Sequence, residues 1–447
     1  MCDWDSFDDN RQQLLTGLKQ VLEANGRQNI PPGILNYLEV DEGTISAIAR
    51  RYAGQISAAG KLLRQKLRVP AAHRTGGKIR LGYLSTDFFE HAVGSLVSDL
   101  FACHDRARFE VYGYSLRHQS DAVQVRIQRG FDRYRNLSGK NADDIAQSIL
   151  EDQIDILIDL AGYTSVAQPT ALAVRPALIQ ISWLGYLGTS GSDFIDYIIA
   201  DDIVLPPELA RDYTERIIRL PHFMVTSPLP VAETYPSRAD VGLAGEEFVF
   251  CSFNQPYKLD RSTFEAWMEI LRCTPGSRLW MYVPDPEVCG DNLRRRALLL
   301  DVEPNRLVFA GRVPMAKHMA RMPLADLSLD PFHISGGATS VATLAAGVPV
   351  LTLRGNSYLA RMGSSVNVRL GMNDLDCTGP AQYIAKAVEM ATTPSALAAA
   401  KERLGMALQT NCFFDTRCFV NSLEAALQTV WARYKAGQPP ADIQTTE

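Results

Sequence analysis

The chain has 447 residues, 46% of them hydrophobic and 21% charged, with a formal net charge of -5. That length exceeds one ordinary core and suits two domains with an appendage, and the mildly acidic balance gives no electrostatic footprint for nucleic acid. The polar start "MCDWDSFDDN" is not a secretory signal, and no apolar run approaches the ~20 residues that span a bilayer.

Residues 1–77 are predicted to be helical. Leu14, Leu15, Leu18, Val21 and Leu22 recur at helical spacing until "NIPPG" breaks the pattern. A second helix is expected from Thr44 toward Leu67, with Ile45, Ile48, Tyr52 and Ile56 on one face. No period of ~34 residues runs through the chain, so it is not a helical repeat array. "VPAAHRTGGK" then reads as a linker.

From Lys78 the texture changes. "IRLGYLS", "FEVYGYSL", "IDILIDLAG", "LIQISWLGY" and "DYIIADD" are short apolar runs alternating with helical patterns. After the proline-rich "PLPVAETYPSRADVGLAGE" a second series follows: "EFVFCSFN", "RLWMYVP", "RLVFAGRV", "DLSLDPF" and "VPVLTL". Strands alternating with helices imply parallel sheets covered on both faces. The expected fold class is α/β: two Rossmann-like, doubly wound domains facing a cleft, with an N-terminal helical extension. The expected divisions are 1–77, 78–240, 241–410 and a C-terminal helix and tail at 411–447.

In such sheets ligands bind beyond the carboxyl ends of the strands. "CSFNQPYKLD" runs out of a buried strand into Asn254, Gln255 and Lys258, a place suited to an anion. "SGGATSVATLAAGVPVLTL" reads as a glycine turn opening a helix. Gly336 and Gly337 allow close approach, and the N–H groups of Ala338, Thr339 and Ser340 can cradle a phosphate or simply form a tight turn. "STDFFEHAVGS" places Ser85, Thr86, Asp87 and His91 after the first strand, where a histidine is a general base or a helix cap. "WLGYLGTSG", Trp183 to Gly191, is a ligand wall or a structural loop. Neither GxGxxG nor a P-loop is present. The D-x-D at Asp374 and Asp376 is read as a surface coincidence, and no His/Cys cluster has zinc spacing. Eight scattered cysteines without a CxxC pair read as reduced, mostly buried thiols of a cytoplasmic protein.

As a set, "RLGYLSTDFFEHAVGS", "ILIDLAGYTS", "RPALIQISWLGYLGTSG", "DYIIAD", "FCSFNQPYKLD" and "LADLSLDPF…GG" resemble the O-GlcNAc transferase and SPINDLY-like family, glycosyltransferase family 41. The likeness runs from about Lys78 to Tyr434 and to bacterial members, without their tetratricopeptide repeats. It implies a GT-B fold with the acceptor side in the first domain and the nucleotide-sugar side in the second. It implies that Lys258 binds the donor diphosphate with Gln255 beside it, and that Gly336, Gly337, Ala338 and Thr339 form the phosphate turn. His318 would lie near the nucleobase and ribose, and His91 near the reacting centre. Tyr186, Gly188 and Thr189 would line the acceptor or sugar side. No metal and no cofactor are implied; the donor would be a nucleotide-sugar, a UDP-sugar first, and the acceptor a protein or peptide.

The chain departs from the family at the nucleoside half. The family's ribose-binding aspartate aligns to Ala342, its turn histidine to Gly337, the first threonine of that turn to Ala338, and a lysine to Met315. An aspartate at Ala342 would be expected to gain hydrogen bonds to the ribose hydroxyls. The resulting expectation is an inverting, metal-independent transferase acting on protein side chains, Ser/Thr hydroxyls first. Beside it stand an N-glucosyltransferase-like or SPINDLY-like fucosyl activity, and a donor-impaired homologue that binds or scaffolds.

Overall fold

A computed structural model describes residues 2–23, 30–70, 74, 76–164 and 166–445. The chain divides by contacts into two compact units. One comprises residues 15–227 and 412–447, the other residues 1–14 and 228–411. The crossing at Ser227 precedes the expected boundary at 240, and the last 36 residues return to the first unit.

The first unit is built on an eight-stranded sheet of order β14-β7-β6-β5-β4-β1-β2-β3, with every ladder parallel. Its strands are β1 (Ile79–Ser85), β2 (Phe109–Ser115), β3 (Arg133–Asn136), β4 (Ile156–Asp159), β5 (Ile179–Ser182), β6 (Tyr197–Ala200), β7 (Arg216–Arg219) and β14 (Ile443–Gln444). β4, β5 and β6 are buried at every position, as parallel strands covered on both faces must be. The C-terminal helix expected within 411–447 is Thr416–Lys435, and the tail after it carries β14, which extends the sheet beside β7. That helix is fastened through buried groups. Trp183 stacks on Phe419 with ring centroids 5.5 Å apart. Glu424 accepts from His104 Nδ1 at 2.9 Å, and the other nitrogen of that ring meets the Tyr83 hydroxyl at 2.8 Å. Burial holds the His104 ring toward its neutral form, against the pull of Glu424.

The helix Glu42–Arg64 begins on Asp41, whose carboxylate accepts from Thr44 N at 2.9 Å. Ile45 and Ile48 are buried on its inner face, as the spacing predicts, while Tyr52 and Ile56 are partly buried. Of the first helix, Phe7–Glu23, Leu18 and Val21 are buried. Residues 24–29, which include the start of "NIPPG", and most of the central part of the expected linker lie outside the described residues.

The second unit carries a six-stranded parallel sheet of order β10-β9-β8-β11-β12-β13. Its strands are β8 (Val249–Ser252), β9 (Arg278–Tyr282), β10 (Leu307–Ala310), β11 (Leu327–Leu329), β12 (Val350–Leu353) and β13 (Asp376–Cys377). β8 lies between β9 and β11, so the chain order reverses there. The loops leaving β8 and β11 therefore diverge from neighbouring strand ends and leave a crevice, the switch point of a doubly wound sheet. Among the described residues, no helix is long and apolar enough to cross a membrane.

Candidate functional site

Both loops at the switch point of the second sheet are polar where they leave the strands. β8 continues through Phe253, Asn254 and Gln255 into a tight turn, Pro256–Lys258. Asp260 ends this segment by capping the helix Arg261–Cys273, accepting from Thr263 N at 2.8 Å. β11 continues into Asp330 and reaches the helix Ala338–Ala345 through Ser335, Gly336 and Gly337.

These two segments meet. Lys258 Nζ donates to the Ser335 carbonyl at 3.3 Å and lies 3.5 Å from Asn254 Oδ1. The amide of Asn254 donates from Nδ2 to Asp330 Oδ1 at 3.3 Å. A cation on one side and a carboxylate on the other fix which way this amide faces. Asp330 Oδ1 also accepts from Gly336 N at 2.7 Å and Ser340 Oγ at 3.4 Å, while Oδ2 accepts from Thr352 Oγ1 at 3.2 Å. Gly336 is required here. A Cβ on it would stand 2.7 Å from Asp330 Oδ1 and 2.1 Å from Ser340 Oγ.

The electrostatics follow from burial. Asp330 is 1% exposed. Burial pushes its carboxyl up to about 6, against the stabilising Gly336 N–H and Lys258 charge. Burial likewise pushes the Lys258 ammonium below its ordinary value, and the Asp330 charge opposes this. A partly desolvated cation acts on an anion more strongly than one in water. The helix Ala338–Ala345 has no side-chain cap, and its first helical bond runs from Val341 N to Gly337 O. The N–H groups of Ala338, Thr339 and Ser340 precede that ladder at the positive end of the helix. The structure thus brings Lys258, Gly336, Gly337, Ala338 and Thr339 to one crevice. Gln255 is exposed, and its carbonyl accepts from Lys258 N at 2.9 Å.

His318 lies in the helix Met315–Arg321 of the same unit and packs edge-on against Phe253, with centroids 4.8 Å apart. Arg321 Nε donates to His318 Nδ1 at 3.1 Å, so the neutral ring carries its proton on Nε2. Burial first, then the Arg321 charge, depresses His318 to about 4. Phe253 therefore leads to His318 and its neighbour Asn254 to Lys258.

At the position expected to face the ribose, the surroundings are apolar. Ala342 is 6% exposed and belongs to an apolar cluster with Phe253, Trp280 and Met322. An aspartate there would enter this cluster.

The remaining expected residues lie in the first unit. His91 follows β1 and caps the short helix Ala92–Val97; its Nδ1 accepts from Val93 N at 3.3 Å and lies 3.8 Å from Asp87. The proton of the neutral ring is then on Nε2, which makes that nitrogen a donor rather than a base. The loop after β5 is tightly built. At Gly185 a Cβ would stand 1.8 Å from the Leu160 carbonyl oxygen, so only glycine fits. Tyr186 is buried; it packs on Tyr163 with centroids 5.3 Å apart, and its hydroxyl donates to Thr189 O at 3.4 Å. Gly188 lies under that ring, where a Cβ would meet the Tyr186 hydroxyl oxygen at 2.9 Å. Thr189 is buried too, and its hydroxyl donates to Glu215 at 2.8 Å. Both hydroxyls shape the loop from within.

Two further readings change. Asp374 is held by Arg403 at 2.7 Å and Asp376 by Arg354, and Asp376 is buried rather than on the surface. Cys412 and Cys418 form a disulfide, whereas Cys2, Cys103, Cys251, Cys273, Cys289 and Cys377 are free thiols. The turn Cys412–Phe414 and the Asp415 cap fold the chain back and bring the first pair together. Sequence reasoning noted Asn254 without giving it a partner and missed Asp330 and Arg321. The signal for Asp330 was a carboxylate at the end of an apolar run, directly before a glycine turn.

The family model described as Glycosyl transferase family 41 matches residues 1–229 and 226–423. The Arabidopsis thaliana protein SEC, a probable UDP-N-acetylglucosamine–peptide N-acetylglucosaminyltransferase, is 29% identical over 100% of this chain and 47% of its own length. The rice protein SPINDLY, described in the same terms, is 31% identical over 81% of this chain and 40% of its own. The chain thus spans less than half the length of these relatives. A Thermobaculum terrenum O-GlcNAc transferase mutant superposes with a TM-score of 0.83 at 28% identity, covering 95% of this chain and 82% of that one. Anabaena HepE shares the fold, with a TM-score of 0.54 at 15% identity over 78% of this chain and 100% of its own. On the extent of these matches, and with two doubly wound α/β units as its fold, the chain belongs to glycosyl transferase family 41.

Proposed function

We propose that the chain transfers a sugar from a nucleoside diphosphate donor to protein side chains, Ser/Thr hydroxyls first, by a single inverting displacement without a metal. The observation that carries this is the meeting of the Lys258 ammonium and the uncapped helix start at Ala338 in one crevice. A diphosphate is the ligand chemistry that such a pair fits. The likeness to SEC and SPINDLY, probable UDP-N-acetylglucosamine–peptide N-acetylglucosaminyltransferases, supports a UDP-sugar donor and a peptide acceptor.

The acceptor oxygen attacks the anomeric carbon as the bond from that carbon to the diphosphate oxygen breaks. The electron pair leaves with the nucleoside diphosphate, and the hydroxyl proton passes to solvent. One displacement inverts the anomeric centre. Negative charge grows on the departing phosphate, where Lys258 and the N–H groups of Ala338 and Thr339 stabilise it. Gln255, exposed at the start of the turn that carries Lys258, is placed beside the diphosphate. His318 borders the nucleoside, and His91 donates from Nε2 to orient sugar or acceptor. The loop of Tyr186, Gly188 and Thr189 forms a rigid wall on the acceptor side. The proposal places the reaction in the cytoplasm.

A second reading is a donor-impaired homologue that binds rather than transfers; Ala342 inside an apolar cluster favours it. Hydrolysis and transfer assays with UDP-GlcNAc, UDP-glucose and GDP-fucose separate the two. Turnover with one donor supports the transferase and names its sugar. No turnover with any, together with nucleotide binding, supports the second reading. A thermal-shift screen with UDP, GDP and dTDP reads the base.

A further inference from the structure

We propose that Asp330 is the positioning residue of this phosphate site: its carboxylate holds the glycine turn and, through Asn254, keeps the Lys258 ammonium in place. The inference rests on the reading of the crevice as a diphosphate site. Asp330 itself is enclosed and does not meet the ligand.

The geometry is a relay. Lys258 Nζ lies 3.5 Å from Asn254 Oδ1, and Asn254 Nδ2 lies 3.3 Å from Asp330 Oδ1. The same oxygen accepts from Gly336 N at 2.7 Å. One carboxylate thus fixes both halves of the anion site, the cation after β8 and the turn after β11. The fit leaves no slack. A Cβ on Gly363 would stand 2.3 Å from Oδ2, and one on Gly336 2.7 Å from Oδ1.

A buried anion without return is unfavourable. Here the return is on Lys258, whose own burial favours the neutral amine. The Asp330 charge opposes that loss and favours the charged form of the lysine. Among the described residues Tyr383, from the helix Pro380–Thr392, is a further titratable group beside Asp330; its hydroxyl donates to the Asp330 backbone carbonyl at 3.1 Å. Thr352, Ser340 and Asn254 do not titrate.

The test is UDP binding by calorimetry across neutral and alkaline pH for the whole chain, Asp330→Asn and Lys258→Ala. Asp330→Asn keeps the shape and removes the charge. It should weaken UDP binding about tenfold at mildly alkaline pH, the scale of one charge-assisted hydrogen bond. The alkaline limb of binding, where Lys258 loses its proton, should move to lower pH. Ionisation of UDP itself is common to all three proteins and cancels. A purely structural Asp330 would lower Tm and leave that limb in place, which overturns the proposal. Wild-type-like binding by Asp330→Asn with loss in Lys258→Ala overturns it too, while the diphosphate reading stands. No UDP or GDP binding by the unmutated chain removes both. Should Asp330→Asn fail to fold, Asn254→Ala carries the test, since it cuts the relay and leaves the carboxylate. The same weakening is expected, and unchanged binding overturns the inference.

Discussion

Lys258 places its Nζ 3.3 Å from the carbonyl oxygen of Ser335. The residues belong to loops leaving two adjacent strands, β8 and β11, so the contact joins the cation to the turn that opens a helix. A carbonyl is a poor terminal partner for an ammonium. Two donor positions of Lys258 meet neutral oxygens, Ser335 O and Asn254 Oδ1, an arrangement on which the proposed anion site rests.

His318→Gln should make the protein less sensitive to mild acid. The folded ring titrates at about 4, depressed from 6.5. Below the unfolded value the unfolded chain takes a proton that the folded ring refuses, so stability is lost as pH falls through that window. The full shift is worth on the order of 3 kcal/mol. Asp330, raised to about 6, acts oppositely, since stability falls as pH rises toward that value. It is common to both proteins, as is His104, so the difference in Tm between wild type and variant isolates His318. A difference that stays flat between those pH values would show that His318 is exposed to protonation when folded.

Ala342→Asp should lower Tm by several degrees and leave UDP binding no tighter. The position lies in the apolar cluster of Phe253 and Trp280, and burying an uncompensated carboxylate there is unfavourable by a few kcal/mol. Thermal unfolding with and without UDP checks it. Unchanged Tm with stronger UDP binding would return the position to the ribose.

His91→Ala should reduce turnover more than nucleotide affinity and loosen the helix Ala92–Val97. Replacing an N-cap by alanine costs ~1 kcal/mol. His91→Asn keeps the cap and removes the ring, so it separates the two effects. Turnover restored by asparagine would leave His91 as a cap alone. A fall in UDP affinity with unchanged turnover would make it a nucleotide contact.

The strands legible in the sequence were those with an unbroken apolar run. β1, β2, β4, β5, β6, β8, β9, β10, β11 and β12 each fall inside a predicted segment. β3 reads "RYRN" and β7 "RIIR"; their arginines hid them, because β3 is an edge strand where charge reaches solvent and the β7 arginines stand at its two ends. β13 and β14 are two residues each, held by neighbours rather than by propensity. At the site, lysine, glycine turn and helix start were legible because each has a local signature. Asp330 and Asn254 act through partners 76 positions apart in sequence, a relation that periodicity does not carry. The Cys412–Cys418 pair was missed for a related reason, since a turn and a helix cap bring the two together.

Chelation should leave transfer unchanged. The D-x-D carboxylates are engaged by Arg403 and Arg354, and in the proposed mechanism Lys258 with the helix start supplies the positive charge. Activity lost to EDTA and restored by manganese or magnesium would overturn this part of the mechanism.

The most direct test is Lys258→Ala, read by donor turnover and by the fold in parallel. The side chain sits in the turn after β8 and is not part of an apolar cluster, so circular dichroism should stay close to wild type, while Tm falls modestly because the buried Asp330 loses a stabilising charge. Removing one preorganised charge at the leaving group should cost ~10²–10³ in rate. That loss in a folded protein is the predicted result. Transfer within about tenfold of wild type would contradict the account and take Lys258 out of the mechanism.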